Sequence, residues 1–260
     1  MASDLLLFQI SSVSALIGMT LGWRGVMTRY SGFYDLPTAW SNIFWGILLG
    51  GIYGSMIYTE IIIPTIEFEA TGSGEIANPV NLILLCLIAS IVAHFVLRRK
   101  RVLSGSSQTT SGWALGLAIG GMFGMVVIYA VLRLSEFNPQ LVLTVTLLSV
   151  FAPRCEAIIS SYQGQLMLMG RKWGAILRAT MWRCGYVVMF SYVLSAPLGW
   201  IFIIPVMLIA NRASEDWIWN AIPKEGKKQL RKIWARQARE RKIDKLSEQV
   251  TGLFTPMESE

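Results

Sequence analysis

The residues with the most chemical potential lie in FAPRCEAIISS, where Cys155 stands between Arg154 and Glu156. A neighbouring guanidinium lowers a thiol pKa and makes a nucleophile, as a Cys-dependent intramembrane enzyme would require. Glu156 opposes that effect, no base stands nearby in sequence, and Arg178 and Arg183 are only conceivable partners in space. A structural cysteine at a helix boundary is the favoured reading, so the chain is expected not to be an enzyme. The single histidine, His94, has no Cys, Asp or Glu at ligand spacing, and its being alone excludes a bis-histidine haem. No metal and no cofactor is expected. Cys86, Cys155 and Cys184 fall in or beside apolar stretches and read as free thiols.

A charge at the centre of a bilayer usually marks a pathway or a relay, and here that centre reads as almost empty. Glu60 and Arg133 lie near the outer ends of two apolar stretches and form a candidate ion pair. The alternative is that each reaches the interface alone. Gln9, Ser11, Ser12, Thr144, Thr146 and Ser149 are the groups that could line a polar path for a neutral solute.

The elements that must position these groups are membrane helices. Of the 260 residues 53% are hydrophobic and 15% charged, and the mean hydropathy is +0.50. That is too apolar for a soluble domain and excludes a disordered, collagenous or disulfide-built chain. Residues 5–23, 40–63, 80–97 and 113–134 each approach or exceed the roughly 20 apolar residues a span needs. The first has no basic region before it and reads as a retained span rather than a signal peptide. A fifth span over 139–151 is short, because Pro153, Arg154 and Glu156 follow directly. The run 175–210 divides at Pro197 and Gly199 into a sixth and a seventh span, the latter carrying Pro205. The segment 165–183 has the spacing of an interfacial helix.

The expected fold is an all-α polytopic bundle of about seven spans, with six as the alternative, its C-terminus cytoplasmic and its basic tail forming a cytoplasmic amphipathic helix. Lys and Arg accumulate on the cytoplasmic side of span ends. Seven spans with the N-terminus outside put every basic residue except Arg133 on that side, and leave Glu67, Glu69 and Glu75 in an external loop. The domain expectation is a membrane domain at 1–212, a basic tail at 213–250 and a disordered end at 251–260. Trp45 with LLGGIYGSMIY is similar to Trp113 with AIGGMFGMVVIY, so hairpins 1–63 and 79–134 are a candidate duplication about an axis along the membrane normal.

Three spans carry small residues every fourth position: Ser14, Gly18 and Gly22; Gly46, Gly50 and Gly54; Gly112, Gly116, Gly120 and Gly124. That spacing puts each set on one helix face, where backbones can approach closely. Packing inside the chain is the favoured use of these faces; docking of other integral membrane subunits is the sharper one. Between Lys224 and Leu246 ten basic residues face three acidic ones, a net +7 equal to that of the whole protein. Lys227, Lys228, Arg231, Lys232, Trp234 and Arg236 are its candidate contacts for anionic lipid headgroups or an acidic cytoplasmic partner, with nucleic acid the least favoured. The expected location is the cell membrane, with an organellar inner membrane as the alternative. The expected function is a non-catalytic scaffold or assembly subunit of a larger membrane complex. A transporter or permease for a small or neutral solute is the alternative, and a Cys155-dependent enzyme comes third.

Overall fold

A computed structural model of the chain describes residues 4–30, 36–72, 77–134 and 137–253. The fold is all-α, 92% helical, with no strand among the described residues. In chain order the helices are α1 (Asp4–Arg29), α2 (Leu36–Ile57), a π turn (Tyr58–Ile62) leading into α3 (Ile63–Thr71), α4 (Pro79–Leu97), α5 (Lys100–Ser104), α6 (Gln108–Leu134), α7 (Pro139–Leu168) and α8 (Lys172–Ser195). A 3₁₀ turn (Pro197–Gly199), α9 (Trp200–Ala221) and α10 (Lys224–Leu253) follow. Five helical segments are long and apolar enough to cross a membrane: α1, the stretch from Leu36 to Phe68, α4, α6 and α7. The chain divides into two compact units, Met1–Ala221 and Ile222–Glu260. Within the described residues the second is the single basic helix α10.

Local sequence starts and stops the helices. Asn78 and Asn138 each precede a proline at the first helical position, and their side chains accept from the backbone N–H of Val80 at 2.9 Å and Leu141 at 2.7 Å. Proline there loses no bond, and the asparagine satisfies one orphan donor. Gly170, at φ +76°, turns the chain between α7 and α8, a conformation that disfavours any residue with a Cβ. That turn corrects two expectations. Residues 165–168 close α7 rather than begin an interfacial helix, and the helix that holds the expected fifth span does not end at 151 but runs unbroken to Leu168.

The physical reason lies at Pro153, which stands inside α7. Its missing N–H frees the carbonyl four residues back, that of Ser149. In lipid such a carbonyl must be covered by protein. Gly18 of α1 covers it: a Cβ on Gly18 would overlap the Ser149 carbonyl oxygen. The glycine of one helix thus permits the proline of another.

At the centre, α6 lies buried along most of its length. Its glycines face α7 in antiparallel register. Gly112 meets Ser160 and Ser161, Gly116 meets Glu156 and Ala157, Gly120 meets Ala152 and Pro153, and Gly124 meets Ala152 and, at 3.9 Å, the Leu148 carbonyl. Each step of four along α6 answers a step of four back along α7, and Gly164 of α7 returns the arrangement against Gln108. The ladder of α2 packs on another side of α6 in parallel. Gly46 meets Leu115 and Ala118, Gly50 meets Ile119 and Met122, and Gly54 meets Phe123. Gly22 of α1 lies against Leu117, and its carbonyl accepts from Trp113 Nε1 at 3.3 Å.

Outside this core the bundle presents Phe8, Ile17, Trp40, Phe44, Ile83 and Phe95 at its surface, the apolar belt expected of lipid contact. Because a Cβ at Gly116 would lie 2.6 Å from Ala157 Cα, Gly116→Val is expected to separate α6 from α7. Overpacking of this kind costs about 1–3 kcal/mol. Thermal unfolding in detergent should show a lower midpoint for Gly116→Val, and no shift for Ile83→Val on the exposed belt.

Candidate functional site

Where α4, α7 and α8 meet, the bundle encloses a charged centre. Glu156 and Arg183 form an ion pair whose two side chains are both 0% exposed. Arg183 Nε donates to Glu156 Oε2 at 3.1 Å and Oε1 at 3.3 Å. Its Nη1 donates to Ser90 Oγ at 2.8 Å and Gln163 Oε1 at 3.4 Å, and its Nη2 to Ser160 Oγ at 2.9 Å. Gln163 Nε2 in turn donates to the Ser90 carbonyl at 2.8 Å. Every guanidinium nitrogen therefore has a partner, and the cluster is neutral as a whole. That is the condition under which a charge can be kept from water.

The helical period assembles it. Glu156, Ser160 and Gln163 stand at i, i+4 and i+7 of α7, one face of one helix. Ser90 comes from α4 and Arg183 from the middle of α8. Across from them, Gly116 lets α6 approach the backbone at Glu156 so closely that a Cβ on it would overlap the Glu156 carbonyl. An aromatic row extends away from the centre: Tyr53 on Phe123 at 6.1 Å, Phe123 on Tyr186 at 5.3 Å, Tyr186 on Phe190 at 4.8 Å and Phe190 on Trp200 at 5.8 Å.

On sequence spacing Glu156 and Arg183 count with segments outside the spans; the structure places them together in the interior of the bundle. Sequence spacing missed the pair because Pro153 reads as the end of a span, which puts Glu156 outside the apolar segments, and because Arg183, inside the run 175–210, counts among the cytoplasmic basic residues. The signal that could have found it was the 156, 160, 163 spacing of polar groups beside the ladder on α6.

The residues singled out in the sequence fall elsewhere. Cys155 is buried with its Sγ against Met207 Sδ, while its neighbour Arg154 donates through Nε to Asn211 Oδ1 at 2.8 Å. The flanking charges thus engage other groups, Asn211 and Arg183. Cys86, Cys155 and Cys184 are free thiols. His94 is buried, and its Nδ1 has no hydrogen-bond partner among the described residues. No metal-holding group of His, Cys, Asp and Glu occurs among the described residues.

Glu60 Oε2 accepts from Asn81 Nδ2 at 3.2 Å, and among the described residues no ion pair joins it to Arg133. Ser11, Ser12, Thr146 and Ser149 donate to carbonyls of their own helices, so these hydroxyls are satisfied locally. All nine ladder glycines face helices of this same chain. On α10, Arg236 pairs with Glu240 at 2.9 Å, while Lys228 and Lys232 are exposed. Residues 73–76 and 254–260, which hold Glu75 and most of the expected disordered end, lie outside the described residues.

A second polar set closes one end of the bundle. Arg29 pairs with Glu215 at 2.8 Å, and Arg99 donates to Ser41 Oγ at 3.0 Å while lying over the Trp45 ring. Just past α1, burial pushes the Tyr30 phenol above its ordinary value, with the Arg29 guanidinium pulling it back. Comparison with protein families, curated proteins and solved structures finds no match to this chain.

Removing one partner of a buried pair leaves an uncompensated charge and costs about 3–5 kcal/mol, whereas removing both costs far less. Thermal unfolding of Arg183→Met, Glu156→Leu and the double variant should therefore be non-additive, with the double variant more stable than Arg183→Met. Equal or additive losses would remove the pair as the organising contact. Thiol labelling of the folded protein in detergent should modify half-buried Cys184 before Cys86 or Cys155, and Cys155→Ala should leave the rate at Cys184 unchanged.

Proposed function

We propose that the protein is a non-catalytic integral membrane subunit that scaffolds or helps assemble a larger membrane complex. In this reading it has seven spans, with its N-terminus outside and α10 in the cytoplasm of a cell membrane. The single observation that supports it is α10. It is a basic helix over Lys224–Leu253 that belongs to the second compact unit of the chain, and its stretch from Lys224 to Leu246 carries a charge equal to that of the whole chain. The glycine faces are already occupied by the chain's own helices, which moves the contact surface of this reading from the glycines to the tail. Lys227, Lys228, Arg231, Lys232 and Arg236 on a helix offer an anionic lipid surface about 1 kcal/mol each, or offer an acidic partner a charged face.

Isolation of the particle in mild detergent tests this. Stoichiometric companion chains should accompany the wild type and be lost on Lys228→Glu, Arg231→Glu and Lys232→Glu together. A lone monomer that moves a solute into liposomes would defeat it. Labelling of the Lys224–Leu253 region by a membrane-impermeant reagent added from outside would defeat the orientation.

One observation favours a permease as the second reading. Ionisable groups enclosed among membrane helices commonly mark a transport path, and Glu156 with Arg183 is such a pair. On that reading Glu156→Gln abolishes solute uptake by proteoliposomes while the protein remains folded; on the scaffold reading no uptake is seen with either form.

A further inference from the structure

We infer that a groove between α7, α8 and α9 holds one acyl chain of an anionic phospholipid drawn from the surrounding bilayer, with its headgroup phosphate at Arg178. The inference rests on the seven-span reading proposed above, in which α8 and α9 lie in the membrane beside the five apolar helical segments. The groove has a volume of about 440 Å³, and its walls are almost wholly carbon. Tyr162, Trp182, Gly185, Val206, Ala210 and Trp217 line it. On α9 it extends from Ile203 to Trp217, fourteen residues, or about 21 Å of helix. That is a long, narrow apolar space, the shape of a hydrocarbon chain rather than of a compact solute. Exposed Trp182 and Ile209 stand at its edge, so it opens sideways from the bundle, toward the medium that surrounds membrane helices.

Gly185 is the observation that separates this groove from ordinary helix packing. Glycine in mid-helix lowers helix stability, and for the ladder glycines it is explained by a close neighbour. A Cβ on Gly116 would lie 2.6 Å from Ala157 Cα, whereas a Cβ on Gly185 would meet nothing within 4 Å. The room that Gly185 leaves is therefore not filled by this chain.

Charge selects the occupant. At the Tyr162 and Trp217 end the two rings stack at 4.7 Å, and Arg178 Nη1 donates to Tyr162 Oη at 3.1 Å while the guanidinium remains exposed. Arg171 and Lys172 are exposed at the start of α8, and Arg212 is exposed within α9. Against them stand Glu215, which is paired with Arg29, and exposed Asp216, which forms no ion pair among the described residues. The surplus is positive. A guanidinium beside an aromatic pair at the mouth of an apolar slot matches a phosphate joined to a hydrocarbon tail.

Native mass spectrometry of the full chain tests this, in detergent with equal amounts of phosphatidylglycerol and phosphatidylcholine of matched acyl chains. Wild type should keep one phosphatidylglycerol with about fivefold preference. Arg178→Gln should abolish that preference while still retaining lipid. Gly185→Leu, which fills the slot, should retain neither lipid, whereas Gly185→Ala should retain phosphatidylglycerol; circular dichroism of both variants should match wild type. Equal retention of the two lipids by wild type, undiminished retention by Gly185→Leu, or a polypeptide bound in place of lipid would overturn the inference. Release of the chain from membranes by alkaline carbonate would overturn the membrane reading and this inference with it. Firm membrane retention together with an indifferent Gly185→Leu would overturn the groove alone.

Discussion

An arginine without access to water must be answered entirely from within the protein, and Arg183 is such an arginine. Its planar fork fixes where Glu156, Ser90, Ser160 and Gln163 can stand, to within hydrogen-bond distance, and so fixes α4, α7 and α8 relative to one another. Dispersion between apolar helix faces tolerates many rotations and translations of one helix along another. A buried guanidinium with a partner at every nitrogen does not. The centre therefore acts first as a register device, and any further role for it must operate through groups that are already engaged.

The second constraint is distance. Glu156 can reach Arg183 because α7 is one long helix, and α7 can be one long helix because Gly18 covers the carbonyl that Pro153 frees. On the other side, the α6 glycines bring the α6 and α7 backbones into direct contact behind Glu156. Ion pair, proline and glycine are thus three parts of one arrangement spread over α1, α6, α7 and α8. The bundle that results is closed against α6 and open between α8 and α9, where Gly185 faces empty space. On the function proposed above, contact with lipid or with other molecules falls to the outer surface and to α10.

Much of this was legible in the residues. The spans at 5–23, 40–63, 80–97 and 113–134 all fall within helices, because a run of apolar residues as long as a bilayer is thick has few other solutions. The four-residue spacing of the glycines announced faces for close approach, and the basic run announced the helix α10. Pro197 and Gly199 marked the turn between α8 and α9. Misread were the extent of α7 and the residues 165–183, since a proline beside Arg154 and Glu156 has the local signature of a span end. Whether a proline breaks a helix depends on what covers the carbonyl it frees, and that group lay more than 130 residues away in sequence.

The sequence by itself determined the helices, their apolar character and which faces carry small residues, because these follow from periodicity and from the need of every backbone group for a partner in lipid. Only the tertiary structure decided which helix each glycine face meets, that Glu60 bonds Asn81, and that Glu156 and Arg183 are buried together. Pairings across 21 to 93 residues are set by how rods pack side by side, and no local pattern records the rotation of one helix against its neighbour.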